Sequence, residues 1–574
     1  MDGAREGIFH FCLSCFVALW RPKEIPVKWV VYPLITASLA LCGAALSNAQ
    51  TSTSTLAQPS KQNTPIKHVI MIIQENRSTD NMFGADTALA QNGGHLATSG
   101  SCHGTNIPLI PTELDSCFDL LHSHIAWKSM YDQGKMDGAC NIAVIKNTSC
   151  IPKCSDTKRS FCPQYSYVAN TKYDGVHGIL DPYFELAAQY GFANYMFQTN
   201  QGPSYSAHHF LISGTSAPIA YPTEYYDWFV EESTANIYRY GCIAPLGTQV
   251  LDVSPSDQES YAYTPPEPPN ANLGFPCYDH PTLPDILNPH HISWRYYGWE
   301  LSSRWTAPNS IEHICRPTKA GGVCEGPAFK NGAVTGTPAD VLNDLGLNGT
   351  CKLQQVSWVI PDGTWSDHPG GASKDGGPSW VAAIVNAVGG YDNSGNKLPV
   401  QCNYWGNTVI LVLWDDWGGF YDDVNPITTI GEGKPGYVGA AGNNGQQYVY
   451  GFRVPLIVVS PYAKQAYISG PPSSPTCPNF YCHDFGSILN FVEYAFGTNG
   501  NSLGTIGPAQ WPYADSFARD TSAAPNNYSL YDFFNWSQTP RTFVPITGAK
   551  YSTTCFLNPT SCMTGFTPSA PDSD

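Results

Sequence analysis

The sequence predicts an α/β fold built on a mostly parallel sheet. Three observations carry that expectation. Short, nearly unbroken apolar runs rich in β-branched residues recur along the chain. Amphipathic helical stripes lie between them, and several of the runs end in acidic or amide residues. A strand covered by helices on both faces reads as a continuous apolar run rather than as an alternation. Strands alternating with helices build parallel sheets, which bind ligands at the carboxyl ends of their strands.

The first run is Ile66-Lys67-His68-Val69-Ile70-Met71-Ile72-Ile73, followed by Gln74-Glu75-Asn76-Arg77-Ser78. Ile292 to Tyr297 is a further strand candidate. Val356 to Ile360 leads through Pro361-Asp362 toward Asp367-His368. Thr408 to Trp414 leads directly into Asp415-Asp416. Val454 to Ser460 ends at Pro461.

Helical spacing appears at Tyr183, Leu186, Ala187 and Tyr190. It recurs at Trp380, Ile384, Val385 and Val388, and at Phe485, Ile488, Leu489, Val492 and Phe496. Each stripe keeps the i, i+3, i+4 spacing of one buried helix face, and each is followed by glycine, which tolerates the left-handed geometry of a helix end. Asp484 stands where it would cap the last of these helices.

The N-terminus reads as an export signal. Lys28 precedes an apolar run from Trp29 to Leu46, and Ser47-Asn48-Ala49 gives the small-residue pattern expected before cleavage at Ala49. A retained membrane anchor is the other reading of the same segment. The expected organisation is therefore a signal peptide or N-terminal extension at 1–49 and a polar linker at 50–65. One large domain follows at 66–545, with a loop-rich insertion at about 217–281, and a tail closes the chain at 546–574.

Cysteine usage agrees with export. Of 19 Cys, three (Cys12, Cys15 and Cys42) fall in the N-terminal segment, and the remainder cluster locally, as in Cys102/Cys117, Cys315/Cys324, Cys477/Cys482 and Cys555/Cys562. Such clusters suit disulfides formed in an oxidising compartment, and the absence of paired CxxC units argues against zinc modules. The net charge of −17 and the lack of any Lys/Arg-rich run exclude a nucleic-acid partner.

The chemistry-bearing residues sit at the strand ends. Glu75, Asn76, Asp415 and Asp416 follow two different strands, and Asp367-His368 follows a third. Carboxylates brought side by side repel unless a cation lies between them, so the set points to a divalent metal ion. The plainer alternative is that Asp415-Asp416 only opens a turn before Gly418-Gly419. Ser204 follows Gly202-Pro203 and opens an apolar helical segment. A helix N-terminus there would stabilise both an alkoxide and an approaching phosphate. An ordinary capping serine is the alternative. His122, His208-His209 and His290-His291 are further imidazoles able to stabilise charge or move a proton.

Together these motifs resemble the bacterial phospholipase C/acid phosphatase family of phosphoesterases, within the alkaline phosphatase superfamily. The resemblance runs from Ile66 to Gly84, through Asp119 to His122, Gly134 to Gly138 and Gly202-Pro203-Ser204. It continues through Val356 to Pro361, Asp367-His368-Pro369, Trp414 to Asp422, Asp484 to Glu493 and Tyr531 to Phe534. It implies an alkaline phosphatase-like three-layer α/β/α sandwich with a mostly parallel central sheet. It implies a divalent metal ion held by Glu75, Asn76, Ser204, Asp415 and Asp416. Ser204 would attack phosphorus and carry the phosphoryl group, with His122 and His368 as the phosphate-stabilising or acid/base histidines.

The chain departs from that pattern in places. Asp415-Asp416 stands where the family often has Asp-Glu, and Asp422-Asp423 where it often has Asp-His. Ser204-Tyr205-Ser206-Ala207-His208 is closer to the acid phosphatase style than to the Thr and Pro-Asn-Arg of phospholipases C.

The expected function is a secreted, metal-dependent phosphoric ester hydrolase. Its expected partners are a phosphate-ester substrate, with phospholipid as a candidate, and a transient membrane contact. The competing reading is a non-catalytic extracellular sugar-binding or adhesive protein, which the aromatic richness and the cysteines would also suit.

Overall fold

The computed structural model describes residues 64–566 apart from 147–162, 218–228, 234–238, 254–258, 261–274, 320, 371–373, 427–436, 439–447, 498–500, 508–512, 522–527 and 564–565. The expected signal peptide and nearly all of the 50–65 linker therefore lie outside the described residues. So do Cys150, Cys154, Cys162, much of the 217–281 insertion and the end of the tail.

An eight-stranded sheet forms the core. Its strands in chain order are β1 (His68–Gln74), β2 (Gly191–Ala193), β3 (Trp294–Tyr297), β4 (Val334–Thr335), β5 (Val356–Val359), β6 (Thr408–Trp414), β7 (Leu456–Val459) and β8 (Tyr467–Ser469). Across the sheet they lie in the order β4-β3-β5-β1-β6-β7-β2-β8. The five strands from β4 to β6 run parallel, whereas β7 is antiparallel to both of its neighbours. The reversal of β7 explains why that run ends in Ser460-Pro461 without an acid, because its carboxyl end points away from those of β1, β5 and β6.

The central strands are buried on both faces, as their unbroken apolar runs require. Helices cover the two faces. Helix α1 (Asp181–Gln189) places Tyr183 against Trp414 with ring centroids 5.1 Å apart. On the other face, helix α2 (Ser204–Ser213) receives a hydrogen bond from the Trp358 indole N–H to the Leu211 carbonyl at 2.8 Å. The register proves the opposition: Trp414 pairs with Gln74 and Trp358 with Met71, an odd separation along one strand. Helix α3 (Gly377–Val388) packs on α1, and helix α4 (Phe485–Ala495) packs on α2. Three layers result, an α/β/α sandwich. Asp484 caps α4 as expected, accepting from the Ser487 N–H at 2.9 Å.

Disulfides staple the loops. Cys315–Cys324, Cys477–Cys482 and Cys555–Cys562 are the local pairs the spacing suggests. Cys242–Cys277 and Cys351–Cys402 close longer loops, and Cys102 joins Cys140 rather than its nearer neighbour Cys117. Within 217–281, the described segments Phe229–Ser233, Val250–Val253 and Glu259–Ser260 pair as a small antiparallel sheet. Among the described residues no helix is long and apolar enough to cross a membrane.

Candidate functional site

Two adjacent parallel strands, β1 and β6, end side by side, and each delivers a pair of polar residues. Gln74 pairs with Trp414 in register, so Glu75-Asn76 and Asp415-Asp416 emerge together. Asn76 adopts a left-handed φ of 57°, which turns its backbone N–H onto Asp415 Oδ1 at 2.9 Å. The Asp416 N–H donates to the same oxygen at 2.7 Å, and Asp416 Oδ1 accepts from the Gly418 N–H at 2.8 Å. One carboxylate oxygen of each aspartate is thereby held by the backbone, which fixes the direction of the other.

Ser204 is brought to this point by the turn before α2. Gln198 ties that turn to the β6 loop: its Nε2 donates to the Gly202 carbonyl at 2.8 Å, and its Oε1 accepts from the Trp417 N–H at 3.2 Å. Asn200 Nδ2 adds a second bond to the Gly202 carbonyl at 3.0 Å. Ser204 is the first residue of α2, with Pro203 at the capping position. Its hydroxyl is not a cap for its own helix. It lies 3.1 Å from Asp416 Oδ2 and 3.3 Å from Asn76 Oδ1.

His122 and His368 approach from separate loops. His122 Nδ1 sits 2.7 Å from the Leu120 carbonyl and so carries a proton there, which leaves Nε2 as the acceptor for Asn76 Nδ2 at 2.9 Å. That bond turns Asn76 Oδ1 toward Ser204. His368 Nδ1 donates to the Pro369 carbonyl at 2.5 Å, and its ring lies 6.5 Å from that of His122. Trp305 stacks on His368 at 6.0 Å and lies 6.5 Å from His208. All the predicted site residues, Glu75, Asn76, His122, Ser204, His368, Asp415 and Asp416, are thus gathered at one place, and all are buried.

Two residues outside the predicted set join them. His208 Nε2 is 3.1 Å from Glu75 Oε1 and 3.6 Å from Asp415 Oδ2. Its spacing of four from Ser204 puts both on one helix face, a signal readable in the sequence. Trp305 forms a wall that no local pattern announced.

The electrostatics of the set favour a divalent cation. Three carboxylates converge, and Asp415 Oδ2 is buried and accepts no hydrogen bond among the described residues. Ligand atoms of Glu75, His208 and Asp415 all lie within 4.8 Å of one another. Buried charge without compensation is costly, and a hard or borderline ion would supply the compensation.

Behind the site, Asp367 is pushed up to about 7 by burial, against hydrogen bonds from Tyr183 Oη at 2.7 Å and the Trp414 indole at 3.1 Å. Arg77, lowered to about 10 by burial, donates to the Asp367 carbonyl at 2.8 Å and the Leu114 carbonyl at 2.8 Å. Both are framework groups that set the Asp367-His368 loop.

Residues 66–499 match the family model described as the Phosphoesterase family. Among curated relatives, the chain is 26% identical over 235 residues to the non-hemolytic phospholipase C of Pseudomonas aeruginosa, covering 38% of this chain and 30% of the relative. It is 25% identical over 295 residues to the non-hemolytic phospholipase C of Burkholderia pseudomallei, covering 46% and 38%. It is 28% identical over 195 residues to phospholipase C A of Mycobacterium tuberculosis, covering 32% and 34%. The chain thus spans about a third of the length of the curated relatives it matches.

Proposed function

The chain belongs to the phosphoesterase family, and from that premise we propose that it is an exported, metal-dependent hydrolase of phosphate esters in which Ser204 is the nucleophile. The observation that carries this reading is the placement of the Ser204 hydroxyl. It stands at the first position of α2, 3.1 Å from Asp416 and 3.3 Å from Asn76.

A hydroxyl at a helix N-terminus faces the positive end of the dipole and its unsatisfied N–H groups, which lower the energy of an alkoxide and of a phosphate beside it. Glu75, Asn76, Ser204, Asp415 and Asp416 would hold the divalent ion. Bound there, the ion would supply Lewis-acid stabilisation of negative charge.

The remaining steps belong to the chain's own groups. The Ser204 hydroxyl gives up its proton to solvent as the oxygen closes on phosphorus, and the phosphoryl group passes to Ser204 as the ester oxygen leaves. Asn76, oriented by His122, turns its amide oxygen toward the Ser204 hydroxyl and the ion it would help to hold. His368, stacked on Trp305 and with Nδ1 held by the Pro369 carbonyl, would protonate the leaving oxygen through Nε2. Water then cleaves the phosphoserine and regenerates the hydroxyl.

Export agrees with the described disulfides, which form and persist in oxidising compartments. A sugar-binding or adhesive role accounts for none of the converged carboxylates. The substrate belongs to the phosphate mono- or diesters, with phospholipid as the lipidic member of that class.

The test is hydrolysis of p-nitrophenyl phosphate and p-nitrophenylphosphorylcholine by the purified protein, with and without chelator, beside Ser204→Ala. Turnover that chelator removes, that Ser204→Ala lacks, and that leaves a trapped phosphoserine after acid quench is expected. Activity on the monoester alone identifies a phosphatase, and activity on the choline diester a phospholipase C-like enzyme. Wild-type turnover by Ser204→Ala would overturn the nucleophile assignment.

A further inference from the structure

We propose that His208 is a nitrogen ligand of the ion held between Glu75 and Asp415, so that the site selects a borderline transition metal such as zinc over magnesium or calcium. The inference rests on the metal-dependent reading above and deepens it.

Three separate elements deliver the three groups. Glu75 follows β1, Asp415 follows β6, and His208 comes from α2, one turn beyond Ser204. His208 Nε2 lies 3.1 Å from Glu75 Oε1 and 3.6 Å from Asp415 Oδ2, and all three side chains are fully buried. Ligands about 2.1 Å from one ion stand about 3.0–3.4 Å apart in octahedral or tetrahedral arrangements, so the separation to Glu75 matches an edge of a coordination shell and that to Asp415 lies only about 0.2 Å beyond one.

Hydrogen bonding explains the cluster less well. A single ring nitrogen carries at most one proton, yet it faces two carboxylates. At 3.6 Å the contact to Asp415 is too long for a hydrogen bond, and Asp415 Oδ2 has no other partner among the described residues. A cation placed among the three atoms satisfies both oxygens and the nitrogen together. Trp305 lies beside the imidazole with its plane only 25° from that of the ring, which holds the nitrogen in one direction.

The chemistry of the donor then sets the metal. Calcium and magnesium take oxygen ligands, whereas imidazole suits zinc and the neighbouring transition ions. His208 converts an oxygen set into a mixed one.

The experiment reads coordination directly. The whole protein is stripped with chelator and reloaded with Mn²⁺, and electron spin-echo modulation from ¹⁴N is recorded for wild type, His208→Gln and His122→Gln. Wild type and His122→Gln are expected to show an imidazole nitrogen coupling that His208→Gln lacks. Competition binding is expected to show His208→Gln losing on the order of 100-fold in Zn²⁺ affinity while Mg²⁺ affinity stays within about threefold.

Mn²⁺ bound without nitrogen coupling, or coupling that survives in His208→Gln, would overturn the ligand assignment and leave the metal-dependent reading standing. No binding of either ion by the folded wild-type protein would overturn that reading itself. Should His208→Gln fail to fold, wild type labelled with ¹⁵N-histidine decides. A modulation pattern that does not change on labelling excludes any histidine ligand, and one that changes while His122→Gln keeps it supports His208.

Discussion

Arg453 Nε donates to Asp422 Oδ1 at 2.8 Å, and both side chains are fully buried. The same guanidinium reaches Asp80 Oδ1 at 3.2 Å and Asp423 Oδ1 at 2.9 Å through Nη2. Asp80 lies just beyond Glu75-Asn76, and Asp422 just beyond Asp415-Asp416. One cation therefore joins the two loops that carry the candidate site. Burial raises the Asp80 carboxyl well above its usual range, and the neighbouring Asp423 and Asp422 raise it further. Arg453 is the larger opposing influence, ahead of the hydrogen bond from the Ala97 N–H.

Removing that cation strands buried acids. Arg453→Met is expected to lower stability by about 3–5 kcal/mol, the range for breaking a buried pair by deleting one partner. Arg453→Lys recovers only part of it, because a point charge cannot serve three carboxylates as a planar fork does. Urea denaturation at neutral pH measures both. A loss below about 1 kcal/mol for Arg453→Met would show that the loops do not depend on this cation.

Gly418 shows how closely the β6 loop approaches the β1 loop. Its φ is 63°, and a methyl group there would stand 2.1 Å from the Asn76 carbonyl oxygen. Gly418→Ala must push the Asn76 backbone away from the β6 loop. A displacement of about 1 Å at reacting groups can cost on the order of 100-fold in rate. The expected outcome is a drop of that size in kcat/KM toward p-nitrophenyl phosphate, with a fold still intact by circular dichroism. Unchanged kinetics would mean that the Asn76 position is not critical.

These relationships mark where the sequence ceases to speak. Continuous apolar runs announced β1, β5 and β6, because burial on both faces leaves little choice of residue. The pairs Glu75-Asn76 and Asp415-Asp416 were legible for the same reason: polarity resumes where a buried strand ends. The reversal of β7 was not legible, since an apolar run carries no direction. The spacing of His208 from Ser204 put both on one helix face, but only the placement of α2 showed that His208 meets Glu75. Arg453 and Trp305 act through tertiary placement, and Cys102 bypasses Cys117 for Cys140 because folding, not spacing, decides which sulfurs meet.

His122 and Asn76 form a directional pair. The Leu120 carbonyl holds the His122 proton on Nδ1, so Nε2 accepts from the Asn76 amide and the Asn76 oxygen faces Ser204. His122→Ala releases the amide to rotate and removes an imidazole from the site. A loss of about 10²–10⁴ in kcat is expected, the range for a positioned proton-transfer or hydrogen-bonding group. His122→Gln, whose amide oxygen can still accept from Asn76, is expected to retain more activity than His122→Ala. Equal losses in the two variants would show that orienting Asn76 is not part of the role of His122.

His280 sets the behaviour of the fold in acid. Its ring is buried beside Tyr278 and lies 6.3 Å from the ring of His209; Nδ1 donates to the Pro281 carbonyl at 3.2 Å. Burial, its largest influence, lowers His280 from 6.5 to about 4, and it holds His209 well below its usual value in the same way. The unfolded chain therefore takes up a proton near pH 6.5 that the folded chain refuses until about pH 4. Stability from the neutral ring is full above pH 6.5 and falls as the pH drops through that window, by about 2–3 kcal/mol at pH 4.5 for this one group. His313 has the opposite sign. Held between Asp279 and Asp285, it is raised to about 9, so its contribution is present in acid and lost as the pH climbs toward 9. His280→Phe keeps an aromatic ring in place and removes the titration, at the cost of the bond to Pro281. It is expected to be less stable than wild type at pH 7.5 but to lose about 2–3 kcal/mol less between pH 7.5 and pH 4.5, read from urea midpoints at each pH. An acid limb as steep as that of wild type would mean that the His280 ring takes up its proton without leaving the fold.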